Sequence, residues 1–254
     1  MPPVPELADR RLSPLPVLQS SPMKHVLSFV LLLSCSASLS AQTTPEVEIT
    51  SEPAHHVALE NDYIRGFKVE VAPHAATLMH RHRHDYVFVT LGDAHVSNEV
   101  EGKPPADVKL ADGYTGFVAG GFAHVARNLL DQPFRNLTIE LLQDERLRQT
   151  PSRWPEDSGE KTFPGGRSKI LFVKDGVRVS EVILDPGAVV PSHHHDAPHL
   201  VVAISDLDLR SDVEGIGPKP GKLNSGEMKW LPGGYTHTLT NVGKTPARFV
   251  TVEF

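Results

Sequence analysis

Short runs of apolar and β-branched residues, separated by turn-forming residues, recur along the chain from about residue 56 onward. Examples are Tyr86–Leu91 (YVFVTL), Phe134–Leu142 (FRNLTIELL), His199–Ile204 (HLVVAI) and Ala247–Phe254 (ARFVTVEF). Each run has the length of a strand, and turns such as Leu-Gly-Asp, Asp-Pro-Gly and Pro-Gly-Gly stand between them. No amphipathic helix of normal length is evident. The pattern predicts an all-β fold, and units of this size fit small jelly-roll barrels.

The same residues recur along the chain at one constant offset of 113 positions. The match needs no insertion or deletion from about residue 56 to 141. The matched pairs include Arg65 with Arg178, His80 with His193, His82 with His195, Gly120 with Gly233, Gly121 with Gly234, His124 with His237, Asn128 with Asn241, and Glu140 with Glu253. The repeat predicts two copies of one domain, at 45–145 and 166–254, joined by a polar linker at 146–165. We expect the copies to form a pseudo-twofold pair within the chain; further oligomerisation is left open.

The N-terminal region lacks this pattern. Residues 1–22 are rich in proline and have no periodicity, which indicates either an over-extended start or a disordered leader. Residues 23–41 combine the basic Lys24, the apolar run Val26–Leu33 and a series of small residues, which is typical of a secretory signal peptide. The apolar run is too short to span a bilayer, so no transmembrane span is expected in the mature chain. The sequence therefore predicts a periplasmic or secreted protein, with a lipoprotein anchored at Cys35 as the alternative.

We predict that the mature protein begins near Gln42, because the small-residue stretch of the signal ends at Ala41. Intact-mass measurement of the exported protein checks this. A mass that still includes residues 24–41 would contradict the prediction, and a lipid adduct on Cys35 would select the alternative.

Composition narrows the chemistry. The net charge of −6 gives no reason to expect a nucleic-acid partner. Cys35 is the only cysteine, which excludes an internal disulfide and a thiolate zinc site, so any metal must be bound through nitrogen and oxygen. Histidine, with fourteen residues, is abundant and supplies the nitrogen.

The spacing of the histidines places several of them on the same face of a predicted sheet. Side chains two positions apart on a strand point to the same side of a sheet, so His80 and His82 share a face, as do His193 and His195. His199 shares the face of His195 if the strand continues, whereas alternation directs His194 away from its neighbours. His124 and His237 follow later, each after a glycine turn.

These residues resemble the two motifs of the cupin superfamily, G-x5-H-x-H-x3-E and G-x5-P-x-G-x2-H-x3-N. The second copy reads Gly187-x5-His193-x-His195-x3-His199 and Gly226-x5-Pro232-x-Gly234-x2-His237-x3-Asn241. The first copy reads His74-x5-His80-x-His82-x3-Tyr86 and Gly113-x5-Ala119-x-Gly121-x2-His124-x3-Asn128. The chain thus looks like a bicupin, with two tandem cupin jelly-roll barrels.

The resemblance implies a metal site in each barrel. His80, His82 and His124 would ligate one ion, and His193, His195 and His237 the other. His199 stands at the position of the usual acidic ligand and is a candidate fourth ligand. Tyr86 stands there in the first copy and is expected to be a packing residue or a group that supports the site. With four imidazoles against three, we expect the second barrel to bind metal more tightly. The alternative is that the histidines are satisfied without any metal.

Neutral imidazole ligands leave the full charge on a bound ion, and they suit iron, zinc, nickel or copper better than manganese. The resemblance implies two hypotheses. One is a metal-dependent oxidoreductase, a dioxygenase of the Fe(II) type acting on a small chelating organic molecule. The other is a non-catalytic protein that binds metal or a small ligand. Bicupin enzymes usually keep a glutamate at the position where this chain has Tyr86 and His199.

Overall fold

The computed structural model describes residues 45–149, 154, 159–174 and 176–254. The leader and signal peptide predicted at 1–22 and 23–41, together with Cys35, lie outside the described residues, as do residues 150–153 and 155–158 of the predicted linker. Within the described part of the chain, no helix has the length and apolar character needed to cross a membrane.

The described first half is built from short strands. They are β1 Val47–Glu48, β2 His55–Glu60, β3 Ile64–Val71, β4 His80–His82, β5 Tyr86–Leu91, β6 Ala94–Val100, β7 Ala106–Leu110, β8 Thr115–Val118, β9 Phe122–Asn128 and β10 Phe134–Leu141. A 3-10 turn at Ile49–Ser51 follows β1, and the helix α1, Asp144–Gln149, follows β10. Buried and exposed positions alternate along β3 and β4, as expected for strands with one face in a core.

The second half repeats this series. Its strands are β11 Glu160–Phe163, β12 Gly166–Lys174, β13 Val177–Leu184, β14 Val189–His195, β15 His199–Ala203, β16 Leu207–Val213, β17 Gly217–Leu223, β18 Met228–Leu231, β19 Tyr235–Asn241 and β20 Ala247–Glu253. Strand β11 and helix α1 both fall within or next to the range predicted as a linker. The second half therefore starts its sheet at Glu160 in the described residues.

Each half folds its strands into two sheets of matching order. The first half has β1-β4-β9-β6-β7 and β2-β3-β10-β5-β8; the second has β14-β19-β16-β17 and β11-β12-β13-β20-β15-β18. With the extra edge strands β1 and β11 set aside, the orders correspond strand for strand. The predicted all-β jelly-roll fold is confirmed.

Apolar side chains form three buried clusters. One belongs to the first half and includes Phe67, and one belongs to the second half and includes Phe249. The third draws on both halves, with Ile139, Leu200 and Val252 among its members. Each fully buried side chain of this kind contributes about 1.5–3 kcal/mol relative to an exposed one. The clusters fix the barrels that carry the histidine strands.

The motif asparagines hold loops at the ends of strands. Asn241 is almost fully buried, and its amide nitrogen donates to the carbonyl oxygens of Leu184 at 3.0 Å and Thr245 at 2.9 Å. Asn128 makes the equivalent bonds in the first half, including one of 2.8 Å to the carbonyl oxygen of Gln132. These two residues are structural, since their polar atoms are used within the loops.

A difference between the copies lies in the turn before each histidine pair. Gly187 has a φ of 80°, and His74, at the matching position, has a φ of 57°. Among the described residues, His74 is the one residue other than glycine with a positive φ. This left-handed conformation costs a residue with a Cβ about 1–2 kcal/mol.

Replacing His74 with glycine is therefore expected to raise the free energy of unfolding by about 0.5–1 kcal/mol. The exposed pair between His74 Nε2 and Asp131, 2.8 Å apart, contributes little that would be lost. Urea denaturation measures the change. The matched variant Gly187→Ala should lower stability by a similar amount, and a destabilised His74→Gly protein would contradict the argument.

Candidate metal centres

Strand pairing brings the histidines of each half together. In the first half β4 pairs with β9 so that His80 lies directly opposite His124. In the second half β14 pairs with β19, and His193 lies directly opposite His237. His82 follows His80 by two positions, and His195 follows His193 by two positions. Each points to the same inner face as the histidine before it, as alternation along a strand predicts.

The rings converge to similar distances in both halves. The ring centroids of His80 and His124 are 4.5 Å apart, and those of His193 and His237 are 4.4 Å apart. His82 lies 5.2 Å from His124, as His195 does from His237. In the second half, the nearest ligand atoms of His193, His195 and His237 all lie within 4.8 Å of one another. The structure thus brings together the three histidines that the motifs single out in each half.

A hydrogen bond at Nδ1 orients the first and third histidine of each triad. The partner atoms are carbonyl oxygens for His80 (Leu78, 2.9 Å) and His193 (Pro191, 2.8 Å), and side-chain oxygens for His124 (Asn98 Oδ1, 2.6 Å) and His237 (Ser211 Oγ, 2.7 Å). Leu78 and Asn98 lie 113 positions before Pro191 and Ser211, so the repeat preserves these contacts. A carbonyl oxygen can only accept, so Nδ1 of His80, His124 and His193 carries the proton and Nε2 of these rings keeps its lone pair. Metal-bound histidines are oriented in this way.

The middle histidine of each triad faces a buried carboxylate held by arginine. His195 Nδ1 lies 3.3 Å from Glu253 Oε1, and the Arg178 guanidinium lies 2.6 Å from Glu253 Oε2. In the first half the matching distances, from His82 to Glu140 and from Arg65 to Glu140, are 3.9 Å and 3.6 Å. Arg65 and Arg178 each form an ion pair with a carboxylate that lies near a triad histidine.

The inner nitrogen atoms fit a divalent ion. Nε2 of His80 and Nε2 of His124 are buried without a hydrogen-bond partner, which is costly for a polar atom unless a ligand satisfies it. In the second half, His193 Nε2 and His237 Nε2 lie 3.0 Å apart. Two nitrogen ligands of one tetrahedral zinc ion would lie about 3.3 Å apart, given bonds of about 2.0–2.1 Å. The residues present therefore fit a metal in both barrels.

The first barrel contains a further histidine that sequence reasoning missed. His55, on β2, places its ring 4.6 Å from His80 and 6.2 Å from His82, and the nearest ligand atoms of these three residues lie within 4.8 Å of one another. Its Nδ1 lies 2.6 Å from Oε2 of the buried Glu52. The sequence contained little signal for it, because position 168 in the second copy is serine and the motifs do not reach β2. The expectation of tighter binding in the second barrel counted three imidazoles in the first, and His55 removes that difference.

The residues at the usual acidic position stack on the middle histidine. Tyr86 lies face to face with His82, with ring centroids 4.2 Å apart, and His199 lies face to face with His195 at 4.0 Å. His199 is buried, its Nδ1 has no hydrogen-bond partner, and its Nε2 lies 3.5 Å from the hydroxyl of Tyr235. Both residues border the sites. The roles of His199 as a fourth ligand and of Tyr86 as a supporting residue stay predictions.

The two remaining histidines near the motifs lie outside the triads. His194 is about half exposed and bonds through Nδ1 to Thr236 Oγ1 at 2.9 Å, on the outer face that alternation predicts. His84 bonds through Nδ1 to Asp144 Oδ1 at 3.2 Å, at the start of α1.

Glycine pairs bring the third histidine's strand close to the histidine-pair strand. A Cβ on Gly120 would lie 2.4 Å from the carbonyl of His84, and one on Gly233 would lie 2.4 Å from the carbonyl carbon of Ala197. The glycine that follows each has a positive φ and donates its N–H to the carbonyl oxygen of His82 (2.7 Å) or His195 (2.6 Å). Only glycine permits this approach of backbone to backbone.

Burial keeps the imidazoles neutral. Desolvation lowers the pKa of His80 to about 4, of His82 to about 2 and of His124 to about 3. In the second barrel desolvation lowers the pKa of His199 to about 4 and of His237 to about 3. It also raises the pKa of the Tyr235 hydroxyl to about 12. Neutral imidazole is the form that binds metal.

The metal-free protein is therefore expected to lose stability as the pH falls from about 7 towards 4. Below pH 6.5, the ordinary pKa of histidine, these histidines are protonated in the unfolded chain but stay neutral in the folded protein. Because the unfolded chain binds more protons, acid favours unfolding. Urea midpoints in the presence of a chelator at about pH 7.5, 6 and 5 measure the effect. A midpoint that stays constant over this range would contradict it.

No family model matches the chain, and no curated protein matches it by sequence. Solved structures of oxalate decarboxylase from Bacillus subtilis do match. A two-residue deletion mutant is 14% identical, covers 78% of this chain and 74% of that chain, and has a TM-score of 0.57. A tryptophan-to-tyrosine variant is 14% identical, with 78% and 71% covered and a TM-score of 0.56. A structure from work on that enzyme's Mn(II) centres is 15% identical, with 78% and 74% covered and a TM-score of 0.57. At these identities the likeness shows the fold alone, and it confirms the cupin jelly-roll fold.

Proposed function

We propose that this protein is an exported bicupin enzyme, a metal-dependent dioxygenase of the Fe(II) type that acts on a small chelating organic molecule. The observation that carries the proposal is the set of three converging imidazoles in each barrel, of which the first and third have Nδ1 hydrogen-bonded to neighbouring groups and Nε2 available to an ion. Three protein ligands leave positions on an ion for a substrate or for dioxygen.

An ion bound there would act as a Lewis acid and, if it is iron, as the redox partner of dioxygen. The chain's own residues have separate tasks. His193, His195 and His237 bind and orient the ion, while Glu253 and Arg178 fix the ring of His195. The hydroxyl of Tyr235 stays protonated at neutral pH, because burial raises its pKa to about 12, and so it can donate a hydrogen bond to an anionic substrate.

Several divalent metals are candidates for the bound ion. The nitrogen donor set favours iron, zinc, nickel or copper. The solved relatives include an enzyme with Mn(II) centres, so the preference against manganese has no support from the comparisons. Manganese therefore belongs among the metals to be tested.

A non-catalytic role in metal binding is the second candidate. The observation that favours it is the deep burial of the first triad, in which His80 and His82 are 0% and 2% exposed. An ion held there would be poorly accessible to a substrate, as in structural sites.

The test begins with metal analysis of protein from its native compartment, followed by reconstitution with Fe(II), Mn(II), Zn(II), Ni(II) or Cu(II). Oxygen uptake is then measured with a panel of chelating molecules: β-diketones, vicinal diols of aromatic rings, small thiols and oxalate. Incorporation of both atoms of labelled dioxygen into product is the expected result. Oxygen-independent release of CO2 from oxalate would replace the dioxygenase proposal with a decarboxylase. Metal binding without turnover of any compound would favour the non-catalytic role.

A further inference from the structure

The two barrels differ at one position of the strand that flanks the metal site. In the first half, β2 pairs with β3 so that His55 lies opposite Val69. In the second half, β12 pairs with β13 so that Ser168 lies opposite Val182. The two positions are therefore equivalent in both sequence offset and sheet register. The first barrel has an imidazole where the second has a hydroxyl.

His55 is held as a ligand would be. Its side chain is 4% exposed, and its Nδ1 lies 2.6 Å from Glu52 Oε2. Glu52 is fixed in turn, because its oxygens accept the backbone N–H groups of Ala54 at 2.8 Å and Leu78 at 3.1 Å. A carboxylate at Nδ1 leaves Nε2 free and makes it a stronger electron donor. The second copy has Gly165 in place of Glu52, so it lacks both members of this pair.

The four rings of the first barrel cluster around His80. His80 lies 4.6 Å from His55, 5.2 Å from His82 and 4.5 Å from His124, measured between ring centroids. His80 Nε2, among these rings, is buried without a partner. Four protein ligands around one ion are typical of structural sites, in which no position is left for a substrate.

The second barrel offers a different environment. Its histidine triad lacks a counterpart of His55, and His199 stacks face to face on His195 rather than joining the three residues whose ligand atoms lie within 4.8 Å of one another. His193 is partly exposed, whereas the equivalent His80 is buried. Tyr235 stands where the first barrel has Phe122, and places a hydroxyl 3.5 Å from His199 Nε2. Space and a hydrogen-bond donor are what a reacting ligand needs beside a metal.

We propose that His55, supported by Glu52, closes the first barrel's site as a four-imidazole centre, whereas the second barrel keeps an open position at which exogenous ligands bind. This inference rests on the metal binding in the proposed function. It assigns a structural role to the ion of the first barrel and the catalytic role to the ion of the second barrel.

Cobalt(II) is the probe, because its visible absorption is much stronger in four-coordinate than in six-coordinate sites. A His195→Ala background disables the second site, so that the cobalt signal reports the first. There, His55→Ser, which introduces the second barrel's own residue, is expected to weaken cobalt binding by about 100-fold or more and to lower the absorption per ion several-fold. The control His56→Ser alters the exposed neighbour on the other face of the strand and should change neither.

Glu52→Gln serves as the second variant, because it preserves shape if His55→Ser fails to fold. It is expected to weaken cobalt binding about 10–100-fold. Unchanged affinity and spectrum in a folded His55→Ser protein, or unchanged affinity in Glu52→Gln, would overturn the assignment of His55 as a ligand.

Azide is a small anion that binds a metal ion only where a coordination position is open, so it distinguishes the two barrels. In the His195→Ala background it should leave the cobalt spectrum unchanged. In a His82→Ala background, where the second site is loaded, it should shift the spectrum. Azide binding in the first barrel would refute its closure. Failure of cobalt to bind in either background would instead contradict the proposed metal binding itself.

Discussion

In the His195→Ala variant, the second barrel is expected to lose its divalent ion while the first barrel keeps its own. His195 completes the second triad, with its ring centroid 4.9 Å from that of His193 and 5.2 Å from that of His237. Its removal also leaves Glu253 without the imidazole at Oε1. Loss of a group that merely supports a ligand weakens metal binding about 10–100-fold, so loss of the ligand should exceed about 100-fold.

The reciprocal variant, His82→Ala, should empty the first barrel and spare the second. Metal-to-protein ratios after dialysis against a weak chelator measure both changes. His194→Ala is the matched control, because His194 adjoins His195 but points to the outer face and is about half exposed. If His82→Ala released the ion of the second barrel while His195→Ala left it in place, the division of the histidines between two centres would be wrong.

Gly233→Ala is expected to lower the free energy of unfolding by about 3 kcal/mol and to weaken metal binding in the second barrel. The added Cβ would lie 2.4 Å from the carbonyl carbon, 2.5 Å from Cα and 2.7 Å from N of Ala197. These are backbone atoms, so relief requires movement of the segment between β14 and β15. That segment joins His195 to His199.

Gly221→Ala is the control for this substitution. Gly221 lies on β17, and the nearest atom to an added Cβ is Leu209 Cβ at 3.6 Å, an ordinary contact. Its stability should change by no more than about 0.5 kcal/mol. Urea denaturation compares the two proteins. Equal stability would show that the segment at Ala197 moves freely, contrary to the close approach.

Much of the site could be predicted because it follows from local rules. Alternation along a strand determined the shared face of His80 and His82, and the constant offset of 113 carried that result to the second half. The glycine of the second motif marked the turn before the third histidine.

The groups around the triads were harder to predict. Arg178 and Glu253 matched Arg65 and Glu140 in the repeat, yet the sequence does not show which strands are neighbours. In the structure β13 pairs with β20 so that Arg178 lies directly opposite Glu253. That cross-strand register, rather than either residue alone, turns an arginine that could have been a surface residue into a partner of the carboxylate beside His195.

His55 was missed because it breaks the repeat. It comes from a strand outside both motifs, and its partner Glu52 lies in the 3-10 turn region before that strand. The pair His55-His56 gave no sign of which ring would turn inward. Only the register of β2 on β3 determines that His55 faces the triad and that His56 faces solvent.

The Glu52 carboxylate also makes the net charge around a bound ion differ between the two centres. Its hydrogen-bond partners are His55 and two backbone N–H groups, so its negative charge would partly neutralise a divalent ion in the first barrel. In the second barrel, Glu253 is paired with Arg178, and the two charges cancel. A divalent ion there would keep both of its positive charges among neutral imidazoles, and a doubly charged anion would make the assembly electroneutral. Buffer anions such as phosphate should therefore compete for the second barrel far more than for the first.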